Sequence, residues 1–372
     1  MEQGKNIWEA QVGDTTVSAP GGPTKPPAEL TRLLGALLRG QELIQIARLR
    51  RGTNDVALLD GQRVVESYAG MDEALRRALD VPDRQTAPST KAPALDHVRS
   101  FLRRQLYEIE RHDPAVRVGS DPEDLHRMRV AVRRSRATLR AARELFDDAQ
   151  VRSLRAELKW LGGRLGPTRD LDVLLTRVRG EVAELDGPDA VNAGKIVAQL
   201  EAEREHTRGE LLASLEEPRY TALLDQFEQF VAAPPVASVD LSLDRVAARE
   251  FSKLQRLMKK VGPGSSNDEL HRARIQAKRV RYSTELSLPM AGKDGRKVIA
   301  AAKKFQDVVG AHQDAVVAEE RIRSALRRTR GVGTGVAAGR LIERERTRRS
   351  EARAALPAAW KQLRRRGRTA WS

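Results

Sequence analysis

The chain has 372 residues, with 67 Lys and Arg against 51 Asp and Glu, a formal net charge of +16, 40% apolar and 4% aromatic residues, and no cysteine. This length accommodates about two or three domains, and the apolar fraction is enough for real cores, which excludes wholesale disorder. Missing Cys excludes disulfides, thiolate metal sites and cysteine nucleophiles; sparse aromatics argue against a large all-β fold; the basic balance points to a polyanionic or acidic partner without naming it.

The opening MEQGKNIWEAQVGD lacks a basic segment followed by an apolar one, so no signal peptide is expected. No uncharged apolar stretch reaches about 18 residues, so no membrane span is expected and the default location is cytoplasmic. Residues 1–28 are polar and end in Ala19-Pro20-Gly21-Gly22-Pro23 and Pro26-Pro27, the pattern of a flexible tail. Residues 29–39 fit one short helix. A small antiparallel meander is predicted over 41–68, with Asp60-Gly61 between two β-type runs as the hairpin signal. Residues 80–93 complete the 29–90 segment as a linker.

From about residue 94 the spacing becomes helical, beginning with Leu95, Val98, Leu102, Leu106 and Ile109. Further amphipathic runs cover 124–146, 150–165, 170–186, 190–231, 241–261, 268–288, 294–309, 313–329 and 337–367. Ala233-Pro234-Pro235-Val236 divides the series into halves, 91–235 and 236–372.

The halves repeat one another. Leu125-His126-Arg127-Met128-Arg129 returns as Leu270-His271-Arg272-Ala273-Arg274, 145 residues on. Leu165-Gly166-Pro167-Thr168-Arg169-Asp170 returns as Val309-Gly310-Ala311-His312-Gln313-Asp314, 144 residues on. The fold predicted is mainly α: two pseudo-symmetric, antiparallel, four-helix-like bundles packed as one body, preceded by the small β-meander.

On a helix, His126, Arg129, Arg133, Arg136 and Arg140 fall within an arc of roughly 80°, beside a core stripe of Leu125, Met128, Val132 and Leu139. The second copy places His271, Arg274, Lys278 and Arg281 beside Leu270, Ala273, Ala277 and Val280. Arg134 and Arg279 adjoin these stripes. No acidic residue interrupts 125–143 or 270–284. Like charges at i,i+4 cost a few tenths of a kcal/mol per pair, so an unrelieved basic stripe fits a bound anion. Its cations recur at about 4.5–6 Å along the axis, of the order of phosphate spacing in an extended chain. Arg also grips phosphate oxygens bidentately. The plain alternative is a solvated basic face, disfavoured because both copies keep the stripe in phase with a His. Each His is either a packed core residue or a ligand. In the second case anion affinity rises as pH falls through about 6–7.

These motifs resemble the CHAD family, the conserved histidine α-helical domain, over roughly 94–372. The resemblance rests on His126-Arg127-Met128-Arg129…Arg133-Arg134-Ser135-Arg136, on His271-Arg272-Ala273-Arg274…Lys278-Arg279-Val280-Arg281-Tyr282, on the block Leu165–Val173, on Phe305–Asp314 and on Ala358-Ala359-Trp360. It implies inorganic polyphosphate as the ligand and His126, Arg129, Arg133, Arg134, Arg136, Arg140, His271, Arg274, Lys278, Arg279 and Arg281 as its binders. It also implies association with polyphosphate granules. More weakly, Leu37–Arg51 and the Asp60-Gly61 hairpin resemble part of a CYTH triphosphate-tunnel domain. That family's Glu-x-Glu-x-Lys signature is missing from residues 1–40, and three strands cannot close a tunnel. A truncated remnant without triphosphatase activity is expected, or else an unrelated meander.

Other chemistry is poorly supported. Asp170, Asp172 and Asp314 lack the companions of a metal site and are expected to cap helices or pair with a stripe Arg. Gly331-Val332-Gly333-Thr334-Gly335 reads as a loop between helices. No catalytic residue, metal or cofactor is assigned. The leading expectation is a non-enzymatic polyphosphate-binding module. An architectural nucleic-acid binder using the same surface is the rival, weakened by the lack of aromatics near the stripes. A phosphoanhydride hydrolase would need a metal site that the sequence does not show.

Overall fold

The computed structural model describes residues 6–12, 15–21, 26–39, 48–51, 56–60, 63–68, 88–119, 121–237, 241–262 and 264–371. They form two compact units divided at Pro88 and Ser89. No helix among the described residues is long and apolar enough to cross a membrane.

In the first unit, Trp8, Ala10 and Val12 alternate on strand β1 (Asn6–Val12), and Val17 and Ala19 alternate on β2 (Thr15–Gly21). The strands pair antiparallel, with Val12 opposite Thr15. Val17 and Ala19 pack on Leu30, Leu33 and Leu34 beside helix α1 (Ala28–Leu33). The expected tail over 1–28 is therefore corrected. Its period-two alternation was masked by the Gly and Pro that follow, and the strands are held by the apolar face of α1. The expected helix over 29–39 is split into α1 and α2 (Gly35–Leu38). The meander is present as β3 (Arg48–Arg51), β4 (Val56–Asp60) and β5 (Arg63–Tyr68), antiparallel in that order, with Asp60 opposite Arg63. Residues 69–87, including most of the expected linker, lie outside the described residues.

The second unit is helical: α3 (Ala94–Val118), α4 (Pro122–Ala141), α5 (Asp148–Val182), α6 (Gly187–Glu216), α7 (Pro218–Ala232), α8 (Leu243–Met258), α9 (Asn267–Leu286), α10 (Leu288–Arg327) and α11 (Val332–Trp371). The offset of 145 carries the bounds of α4 onto those of α9 and the start of α6 onto the start of α11. The first copy breaks its last helix at Glu217-Pro218, because Pro begins a new helix readily but cannot continue one. The second copy runs through as α11.

Three sequence-level junctions are corrected. Helix α5 is continuous through Gly166-Pro167, α10 is continuous through Gly310, and Val332–Gly335 opens α11 instead of forming a loop. Pro167 removes one helical N–H, but Leu161, Leu165 and Leu171 are buried on either side and hold the rod together. The one sharp bend in α10 is at Gly292, where φ is 52° and a side chain would be strained.

The halves share a core. Leu171, Leu174, Val178 and Ile196 of the first copy pack with Ala318, Ile322, Ala337 and Leu341 of the second. A second cluster, around Phe251, Leu254, Leu270, Val298, Phe305 and Leu363, belongs to the second copy alone. Helices α4 and α9 also pack on each other, which places the two predicted basic stripes side by side.

Candidate functional site

The site is built on the starts of α4 and α9, and both starts are capped. Asp121 accepts the Glu123 N–H at 2.8 Å, with Pro122 in the first turn. Ser266 and Glu269 form a reciprocal capping box. Such caps each contribute about 1 kcal/mol and fix where the helix begins. His126 and His271 therefore stand at the same depth from their helix ends.

A cavity of about 470 Å³ lies between the copies. His126, Arg129 and Arg133 line it from α4, and His271, Arg274 and Lys278 line it from α9. Six of the eleven predicted residues thus converge on one cleft. Sequence reasoning missed three further polar residues there: Arg169 and Arg177 of α5 and Gln313 of α10. A signal was present, because Arg169, Val173 and Arg177 lie on one helical face and the offset of 144 carries them onto Gln313, Val317 and Arg321.

The Gly and Asp of the second repeated block hold the stripe arginines. Arg129 donates to the Gly166 carbonyl at 2.7 Å and to Asp170 at 2.8 Å. Arg274 pairs with Asp314 at 3.7 Å. A Cβ on Gly166 would lie 3.4 Å from the Arg129 Nη1, and one on Gly310 only 3.2 Å from the Arg274 Nη2. These glycines give the guanidinium groups room against the helix backbone. The expected pairing of Asp170 and Asp314 with stripe arginines is observed, and Asp172 pairs with Arg204 at 3.0 Å. Arg177 donates to the Asp314 carbonyl and pairs with the buried Glu345 at 2.9 Å, which ties the first copy to the second beneath the cleft.

The other five predicted residues stand elsewhere. Arg134 and Arg281 both pair with Glu285, each at 3.3 Å, and Arg281 also stacks on Tyr282. Arg136 lies against α5 near Arg155. Arg140 and Arg279 line a separate cavity. The expectation of an unrelieved stripe is corrected as well. No acid interrupts either helix segment in sequence, but Asp170 and Asp314 reach the stripes in space, and Glu285, one turn beyond Arg281 on α9, reaches Arg281 along its helix and Arg134 across the copies.

The cleft remains strongly cationic. Burial, followed by Arg274, Arg133 and Arg129, pulls the Lys278 ammonium down to about 7. Two of those arginines belong to the other copy, so the stripes are within Coulombic reach of one another. Burial and the charges of Arg169, Arg133 and Arg129 also lower the His126 imidazole, against the opposing pull of Glu123. Its charging window therefore lies below the ordinary histidine range, and Lys278 is drawn into the range near neutrality. Among the described residues neither His126 nor His271 makes a side-chain hydrogen bond to another protein group, and no three His, Cys, Asp or Glu converge as metal ligands.

Residues 100–323 match the family model described as the CHAD domain. Two Mycobacterium tuberculosis proteins, Uncharacterized protein MT2285 (strain CDC 1551 / Oshkosh) and Uncharacterized protein Rv2226 (strain ATCC 25618 / H37Rv), are each 29% identical over 289 residues, covering 73% of this chain. The chain spans about half of their length, 54%. Among solved structures, the CHAD domain from the plant Ricinus communis superposes with a TM-score of 0.60 at 26% identity, covering 74% of this chain and 94% of that one. PptA from Streptomyces chartreusis shares the fold, with a TM-score of 0.61 at 21% identity over 73% of this chain and 100% of that one.

Proposed function

The chain belongs to the CHAD family, and from that premise we propose that it binds linear inorganic polyphosphate in the cleft between its repeats, without catalysing a reaction on it. The single observation that carries this reading is convergence. His126, Arg129 and Arg133 from one copy and His271, Arg274 and Lys278 from the other line the same cavity. Arg169 and Arg177 add two more cations there. Charge-assisted hydrogen bonds from these groups engage successive phosphates, and the Arg forks do so bidentately. The core beneath fixes the helices in advance, so little ordering is needed on binding. His126 and His271 offer ring nitrogens that no protein group among the described residues occupies. Nothing in the cleft presents an aromatic face on which a base would stack, since its apolar members are Val130, Val173, Leu174, Val317 and Ala318.

The test is titration of long-chain polyphosphate into wild type and an Arg129→Glu, Arg274→Glu double variant, repeated at rising salt. Wild type binds tightly, with affinity falling steeply as salt rises because counterions are released from each neutralised phosphate; the variant loses at least a hundredfold. Equal affinity of the two proteins would refute the cleft as the site. Displacement of polyphosphate by duplex DNA at matched phosphate concentration would favour the nucleic-acid reading. Release of orthophosphate during the titration with Mg²⁺ present would overturn the non-enzymatic one.

A further inference from the structure

The repeat fails at one position of the basic stripe. Arg140 of α4 is the counterpart, 145 residues earlier, of Glu285 in α9. Glu285 is a clamp: its carboxylate holds Arg134 and Arg281 at 3.3 Å each. The counterparts of those arginines are Arg279 and Arg136. In the related place no carboxylate among the described residues forms an ion pair with them, and Glu250 acts on Arg279 only through its field. Arg140 stands one turn from Arg136 on the same helix face and acts electrostatically on Arg279. One half of the molecule neutralises this junction, and the other fills it with a third cation.

The surroundings add to the excess. Arg140, Arg143, Arg249, Lys253 and Arg279 line a cavity of about 260 Å³ that is distinct from the cleft. Its one carboxylate, Glu250, is already engaged by Lys253 at 2.6 Å and by Gln276 at 2.8 Å. Glu144 nearby is taken by Arg249 at 3.1 Å. Arg155 of α5 comes within the field of Arg140 and Arg143, and its Nε is buried with no hydrogen-bond partner. Among the described residues no carboxylate pairs with Arg140, Arg143 or Arg155. Burial, then neighbouring guanidinium groups, lowers Arg136, Arg155 and Arg279 below the usual arginine range, a sign of like charges held together.

Such a cluster calls for an anion of high charge density. The volume corresponds to roughly nine water molecules at about 30 Å³ each, which is room for two linked phosphate tetrahedra and some hydration. The small walls, Ala137 and Ala141, offer no aromatic surface for a base. Several Arg forks around one point suit phosphate oxygens. We infer that this pocket is a second anion site, independent of the cleft and without a counterpart in the other repeat, which takes a compact phosphoanion of the pyrophosphate class. Free pyrophosphate and the end of a phosphate chain share that chemistry.

The experiment titrates pyrophosphate and long-chain polyphosphate separately into the full-length protein, as wild type, Arg140→Glu and Arg274→Glu. Arg140→Glu rebuilds the Glu285-type clamp, so its ligand-free melting temperature should rise, which separates loss of the site from loss of the fold. The expected result is at least a tenfold loss of pyrophosphate affinity in Arg140→Glu and less than a twofold change in Arg274→Glu. If Arg140→Glu also weakens the long chain, the pocket takes chain ends; if only pyrophosphate is affected, it takes the free anion. Either result supports the site. The inference is overturned if wild type does not bind pyrophosphate, if Arg140→Glu leaves its affinity unchanged, or if Arg274→Glu reduces it equally. Loss of polyphosphate binding in Arg274→Glu alone bears on the cleft and not on this pocket.

Discussion

If the cleft binds a polyanion as proposed, Lys278 should link that binding to a proton. Its ammonium, ordinarily near 10.5, is drawn down to about 7 by burial and by Arg274, Arg133 and Arg129. A polyanion laid across these groups cancels the repulsion and returns the group toward its ordinary value. Binding then takes up a proton above neutrality. The sign follows from linkage: the bound state holds more protons than the free state between pH 7 and 10.5, so affinity falls as pH rises through that window. With full recovery of the ordinary value, the loss between pH 7 and 8.5 is about 15-fold, or about 1.6 kcal/mol. Inner phosphates of a long chain do not titrate in this range. Calorimetry in two buffers of different ionisation enthalpy reads the proton uptake directly. Lys278→Arg keeps the charge at every pH in the window, so it should bind with a flat profile and match or exceed wild type at pH 8.5. Lys278→Met should be weaker at pH 7 and equally flat. A wild-type profile shared by Lys278→Arg would refute the assignment.

Three further outcomes are expected. Gly310→Ala should raise the melting temperature, since Ala is preferred to Gly in a helix by up to about 1 kcal/mol. It should also weaken polyphosphate several-fold, because its Cβ lies 3.2 Å from the Arg274 Nη2 and displaces that group; undiminished affinity would count against the positioning role. His312 is buried, accepts a hydrogen bond from Arg353, and is lowered to about 4 by burial and by Arg353 and Arg349. Its depressed value leaves stability untouched above pH 6.5 and removes it as pH falls toward 4, so His312→Gln should relieve about 2–3 kcal/mol of acid destabilisation at pH 4.5 in urea melts. Phe305→Ala, fully buried against Trp360 in the core of the second copy, should cost roughly 3–5 kcal/mol by chemical denaturation.

The helical class, the duplication and the two stripes were legible in the linear chain because they rest on periodicity, and periodicity is a property of neighbours in sequence. Leu125, Met128 and Val132 mark the buried face of α4 before any contact is known, and His126, Arg129 and Arg133 follow in phase. Glycine and proline misled for the same reason. In isolation Gly166-Pro167 and Gly310 signal breaks, but here they lie within long helices whose buried apolar residues outweigh them, leucines around Gly166 and Phe305, Val309 and Ala315 around Gly310. The alternating β1 and β2 were overlooked because composition, not alternation, dominates residues 1–28.

What the linear chain determined is therefore the repeated helices and the set of cations they carry. Tertiary packing alone decided how that set is divided. Contact between α4 and α9 delivers three residues of each stripe to one cleft. Asp170 and Asp314 arrive from α5 and α10 to neutralise part of the charge, and Glu285 takes Arg134 and Arg281 out of it. Arg140 and Arg279 fall into a different hollow. The physical reason is that a helix period sets the direction of each side chain, whereas the field it experiences depends also on charges from other helices, such as Asp170 beside Arg129 and, from the other copy, Glu285 beside Arg134.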